Sequence, residues 1–196
     1  MLRYLRLLPY MWQSDVSREV VRSLALQAGE RVVDLGAGMG AATMVAAHGG
    51  ATVVAVDPTS YMRRILDVRR RWQRGGGAIT VVEGAAESIP LPDASVDALW
   101  TVNTIHHWTE RTAACRELAR VMRPGGRVLL VDEDFDDPAH PLHKRTQAAR
   151  ERHGFAFEEV NPAALADSLR AAGFASAEGA SAPIAARPAK VVRATR

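Results

Sequence analysis

Apolar residues fall along this chain in two alternating patterns, which predict two kinds of element. The near-continuous apolar runs are Val32-Val33 with Leu35, Ala51–Asp57, Ala78–Val82, Asp97–Val102 and Arg127–Asp132. Runs of that length without polar alternation mark strands covered on both faces, as in a parallel sheet. Between them apolar residues recur at helical spacing. Ser14 is placed to cap a helix reaching about Ala28, with Val16, Val20, Val21 and Leu24 on one face and Gly29 ending it. A second helix follows Gly40. A third runs from Thr59 to about Arg74, with Met62, Ile65, Leu66 and Trp72 as its buried stripe and a solvated arginine face opposite. Thr109 is expected to cap a fourth, through Met122, which Arg123-Pro124-Gly125-Gly126 breaks. Beyond it lie a polar helix over Pro141–His153, a last helix capped by Asn161-Pro162 and closed by Gly173, and strands over Phe174–Gly179 and Val191–Thr195. Alternation of strand and helix from residue 14 to 132 argues an α/β fold, a sheet with helices on both faces.

The first strand runs into Asp34-Leu35-Gly36-Ala37-Gly38-Met39-Gly40-Ala41. Glycines there let the backbone turn sharply and approach a ligand closely, and the helix that follows aims its unpaired N–H groups at the same place. Gly36-x-Gly38-x-x-Ala41 satisfies the dinucleotide fingerprint. Read as Asp34-x-Gly36-x-Gly38-x-Gly40, the stretch resembles the first motif of the class I S-adenosylmethionine-dependent methyltransferases. The carboxylate favours the second reading, because it would repel a pyrophosphate but attract a sulfonium and an ammonium. Asp57, about twenty residues on, ends the second strand where an acid accepts hydrogen bonds from ribose hydroxyls in either family.

Glu83-Gly84-Ala85-Ala86-Glu87-Ser88-Ile89-Pro90-Leu91-Pro92-Asp93 is similar to the loop after the third strand of quinone-biosynthesis-type methyltransferases, and the Pro124-Gly125-Gly126 turn before a strand matches them again. The chain therefore resembles a small methyltransferase of the methyltransferase-11, quinone-biosynthesis-like type. That resemblance implies a Rossmann-like three-layer sandwich, a mostly parallel seven-stranded sheet with an antiparallel final strand. It implies one methyltransferase domain over 1–196: an arm and helix (1–28), a cofactor-binding core (29–135), and an acceptor wall with the terminal strands (136–196). It also implies S-adenosyl-L-methionine as cofactor, with contacts from Asp34, Gly36, Ala37, Gly38, Gly40, Asp57, Pro58, Met62, Ala85, Ala86, Glu87 and Asn103. Residues 1–13 read as a segment packed on the domain's outside, or as a lid over the acceptor pocket.

His106 and His107 follow the fourth strand's carboxyl end, where open α/β sheets bind ligands, so they are the catalytic candidates. Their spacing lacks HExxH or another clear third ligand, so no metal is expected there. The acidic run Glu133–Asp137, with His140 and His143 behind it, fits no EF-hand and reads as a solvated loop. Lys144 and Lys190 are the only lysines, and a net charge of +3 makes no case for nucleic acid. One cysteine, Cys115, excludes an internal disulfide and fits a reducing cytoplasm, and no apolar run approaches the roughly 20 residues of a membrane span. The expected activity is methyl transfer to a small-molecule acceptor by in-line displacement in the cytoplasm. The alternatives are a non-catalytic S-adenosylmethionine-binding sensor or assembly subunit, and an NAD-linked oxidoreductase.

Overall fold

A computed structural model describes Trp12, residues 14–154 and residues 158–196. The expected arm over residues 1–13 lies outside the described residues, apart from Trp12, whose ring stacks under the Arg69 guanidinium at 4.3 Å. The elements in chain order are α1 (Asp15–Ser23), β1 (Arg31–Leu35), α2 (Ala41–His48), β2 (Thr52–Val56), α3 (Ser60–Trp72), β3 (Ile79–Val82), β4 (Val96–Val102), α4 (Arg111–Val121), β5 (Met122–Glu133), α5 (His143–His153), α6 (Pro162–Ala171), β6 (Ser176–Ser181) and β7 (Ala189–Thr195). Seven strands form one sheet in the order β3-β2-β1-β4-β5-β7-β6, and only β7 runs antiparallel to its neighbours. This is the Rossmann-like sandwich expected. The order reverses between β1 and β4, which opens a crevice at their carboxyl ends.

Alternate residues of each central strand serve opposite cores. Val33, Leu35 and Leu99 pack with Leu118, Leu165 and Leu169 from α4 and α6. Val32, Ala98 and Trp100 pack with Val16, Val20, Met44 and Leu66 from α1, α2 and α3. Burial on both faces is why these strands read as unbroken apolar runs.

Several local expectations are corrected. α1 stops at Ser23 because Ala25 turns into the left-handed region at φ 47°. In α3, Met62 and Leu66 are buried, but Trp72 is 85% exposed. Arg69 takes the inward position instead and donates to the Met39 carbonyl at 2.9 Å. Thr109 does not cap α4, whose start has no side-chain cap; Glu87, 22 residues back, accepts the Thr109 N–H at 2.7 Å and the Glu110 N–H at 3.2 Å just ahead of the helix. The Pro124-Gly125-Gly126 turn is a bulge at the start of β5, where Gly125 (φ 78°) donates to the Arg196 carbonyl at 2.6 Å.

These corrections separate two apolar residues of α3. Leu66→Ala should cost about 2–5 kcal/mol in urea unfolding, whereas Trp72→Ser should stay within about 0.5 kcal/mol of the parent.

Candidate functional site

The turn after β1 is pinned to the end of β2 by its own backbone. Gly36 and Ala37 both donate to the Val56 carbonyl, at 2.8 and 3.1 Å. The Asp57 carboxylate then takes the Gly38 N–H on Oδ2 and the Thr59 N–H on Oδ1, both at 2.8 Å. All three glycines have positive φ, at 73°, 53° and 81°. They differ in what a side chain would meet. A Cβ on Gly36 would collide with Thr104, and one on Gly40 with Leu66, so both glycines make room for the protein itself. A Cβ on Gly38 would meet nothing within 4 Å. Of the three, only Gly38 would carry a side chain into open space.

That space is a cleft of two joined parts. A cavity of about 290 Å³ is lined by Asp34, Gly36, Ala37, Gly38, Asp57, Met62, Asn103, Thr104 and His107, with Ser14 and Ser17 of the α1 start closing one side. A smaller one of about 140 Å³ shares Gly36, Asp57, Thr104 and His107 with it and adds Pro58, Ala85, Ala86, Glu87 and Trp108. Every residue expected to touch cofactor lines this cleft except Gly40. Asn103 sits in it at φ 58°, a conformation asparagine tolerates. Its carboxamide is fixed by Glu133, which accepts from Nδ2 and donates its N–H to Oδ1, both at 2.8 Å. Thr104, Ser14 and Ser17 were not anticipated, having no motif of their own. Gly84 is obligatory for the loop, since a Cβ there would lie 2.6 Å from Pro90 Cδ and 2.8 Å from Val56 Cγ1.

Asp34 lies at the cleft floor, buried, with the Thr43 hydroxyl donating to Oδ2 at 2.5 Å. Hydrogen bonds from the Thr43 hydroxyl and backbone do not offset the loss of water, so burial pushes its carboxyl up to about 7. His107 faces the same cleft, and burial, followed by the neighbouring His106, holds its imidazole below the ordinary histidine value.

His106 points elsewhere. Its Nδ1 lies 2.6 Å from Asp132 Oδ2, and it lines a separate cavity of about 440 Å³ with Asp132, Asp134, Asp136, Arg150 and Lys190. Asp132 was missed as a site residue, although it ends its strand as Asp57 follows its own. The acidic run is not a solvated loop throughout: the Glu133 and His140 side chains are fully buried 3.0 Å apart, and Arg187 reaches Glu133 at 3.1 Å. Asp134 pairs with Lys190 at 2.6 Å, and Asp136 with Arg150. Among the described residues no group of three His, Cys, Asp or Glu side chains is placed to hold a metal ion.

A glycine turn tied to an acid at the next strand's end, in a sheet of this order, defines a class I methyltransferase architecture. The chain belongs to the methyltransferase-domain family, whose model matches residues 33–130. It is a methyltransferase by family. It is 32% identical over 177 residues to a demethylmenaquinone methyltransferase of Clavibacter sepedonicus, covering 80% of this chain and 70% of that one. It is 45% identical over 119 residues to an uncharacterized methyltransferase of Mycobacterium tuberculosis, covering 61% of this chain but only 46% of the relative. The YcgJ protein of Bacillus subtilis shares the fold, with a TM-score of 0.72 at 20% identity over 92% of this chain and 97% of that one. Among the described residues no helix is long and apolar enough to cross a membrane.

Two outcomes follow for the turn. Gly40→Ala, strained and forced against Leu66, should lower stability by about 1–3 kcal/mol. Gly38→Ala should cost only about 1 kcal/mol of stability yet weaken S-adenosylhomocysteine binding in calorimetry at least tenfold. For Asp34, the folded state holds its proton to about pH 7 while the unfolded chain releases it near 4, so this group's ionisation removes stability as pH rises from 4 to 7. The melting temperature of wild type relative to Asp34→Asn should therefore fall between pH 5 and 8, and a flat difference would contradict the burial argument.

Proposed function

We propose that the chain moves the methyl group of S-adenosylmethionine to a small-molecule acceptor by in-line displacement. The observation that carries this reading is one cleft uniting Gly38, Asp57 and the Ala85–Glu87 loop at the carboxyl ends of β1 and β2. The residues suit the cofactor. Each Asp57 oxygen accepts one backbone N–H and retains lone-pair capacity for a ribose hydroxyl. Gly38 presents bare backbone, and Asp34 supplies a carboxyl that a nearby sulfonium or ammonium would help to ionise. The backbone of Ala86 and Glu87 is assigned to the adenine, since the Glu87 carboxylate is engaged with the Thr109 and Glu110 N–H groups.

When bound, S-adenosylmethionine supplies a methyl group on a sulfonium, a good leaving group. The protein's part is to hold the acceptor atom in line, and orientation of that kind supplies up to roughly 7–11 kcal/mol of a barrier. His106 or His107 takes the acceptor's proton where one must leave, without a metal. The core over 29–135 binds cofactor and residues 136–196 wall the acceptor, in a cytoplasmic protein with no nucleic-acid partner. Demethylmenaquinone, named in the Clavibacter relative's description, is the first acceptor to try.

Incubation with methyl-labelled S-adenosylmethionine, reduced demethylmenaquinone and a small-molecule extract should give a labelled product by mass spectrometry, undiminished by EDTA. Cofactor binding with no labelled product would favour a non-catalytic binder, and loss in EDTA restored by Mg²⁺ would indicate a metal enzyme. Asp57→Ala should weaken cofactor binding by about 1–3 kcal/mol.

A further inference from the structure

The two histidines after β4 are adjacent in sequence yet look into different spaces. His107 lines both parts of the cofactor cleft, whereas His106 lines the 440 Å³ cavity beyond it. Their rings meet at 4.1 Å, tilted by 56°. One ring thus stands on the cofactor side and one on the far side of the same short turn.

Their anchoring differs as well. Two backbone N–H groups and one ring nitrogen of that turn converge on one carboxylate of β5: Ile105 N–H on Asp132 Oδ1 at 3.2 Å, His106 N–H on Oδ2 at 3.1 Å, and the His106 ring Nδ1 at 2.6 Å from Oδ2. The Asp132 side chain is 5% exposed and the His106 ring 10%. Two backbone donors orient the carboxylate, and the carboxylate orients the ring. A carboxylate in that place accepts, so the hydrogen belongs on Nδ1 and the basic nitrogen of the neutral ring is Nε2.

We propose that Asp132 is a positioning residue that fixes His106 with its hydrogen on Nδ1, so that His106 Nε2, not His107, takes the acceptor's proton. This rests on the methyl-transfer reading above and assigns the roles within it. As the acceptor atom forms its bond to the methyl carbon, the proton it sheds moves to Nε2, and the sulfonium sulfur keeps the electron pair of the broken bond. The imidazolium that results lies against the Asp132 carboxylate, which stabilises it. His107, with its lowered basicity, is a wall of the cofactor cleft.

Nitrogen-detected NMR on the full chain labelled with ¹⁵N-histidine tests this without an acceptor. Neutral His106 should carry its hydrogen on Nδ1. In Asp132→Ala the carboxylate acceptor is removed, so the neutral ring should revert toward the Nε2–H form that free histidine favours. S-adenosylhomocysteine should shift His107 resonances more than those of His106. His107→Asn should weaken its binding about tenfold and His106→Asn less than about threefold. An Nε2–H form in wild type, an undiminished Nδ1–H form in Asp132→Ala, or the reverse order of binding losses would overturn the assignment. If Asp132→Ala does not fold, the wild-type spectrum and the two histidine variants decide. Failure of S-adenosylhomocysteine to bind wild type at all would count against the methyl-transfer reading instead.

Discussion

One carboxylate holds the ligand-facing end of this molecule together. Asp57 ties the glycine turn after β1 to the first turn of α3 through a hydrogen bond on each oxygen. It is buried, so its charge is tolerable only because those donors replace water. The same bonds set the distance between two loops that would otherwise move independently, and the cleft is the gap between them. The Ala85–Glu87 loop completes that gap because Gly84 lets it pass against Val56 and Pro90.

Acids at strand ends recur as fasteners across the sheet. Asp132 gathers the turn after β4, and Glu133 joins Asn103, His140 and Arg187 into a buried polar cluster behind the cleft. Asp34 differs. Its hydrogen bonds from Thr43 do not replace the water it loses, and its carboxyl is driven up to about 7 by burial. A carboxyl left poised in this way beside a cleft responds to a cation, whereas a fully bonded one is mainly structural.

The central sheet was legible in the sequence because each strand is buried on both faces and its ends are marked by glycine, proline or acid. Asp34, Gly38 and Asp57 were legible for the same reason, since the motif is local to one turn and one strand end. What the sequence concealed depends on partners far along the chain. Glu87 reads as a cofactor-loop residue, but its carboxylate accepts N–H groups 22 and 23 residues away. His106 and Asp132 are 26 residues apart, and no spacing links them. Trp72 fits the apolar stripe of α3, yet its last turn presents that ring to solvent while Arg69 turns inward to the Met39 carbonyl. Gly36 lines the cleft and also makes room for Thr104, while Gly40 lies outside its lining and makes room for Leu66.

Hydroxyl acceptance at a carboxylate is the proposed basis on which the Gly38–Asp57 cleft recognises S-adenosylmethionine. Competition calorimetry measures it directly: S-adenosylhomocysteine is titrated into wild type alone and in the presence of excess NAD, and the 2′,3′-dideoxyribose analogue is titrated in parallel. The account predicts saturable binding of S-adenosylhomocysteine that NAD does not displace, and an analogue weaker by about 10-fold or more. Displacement by NAD, or an analogue that binds as tightly as the parent compound, would contradict it.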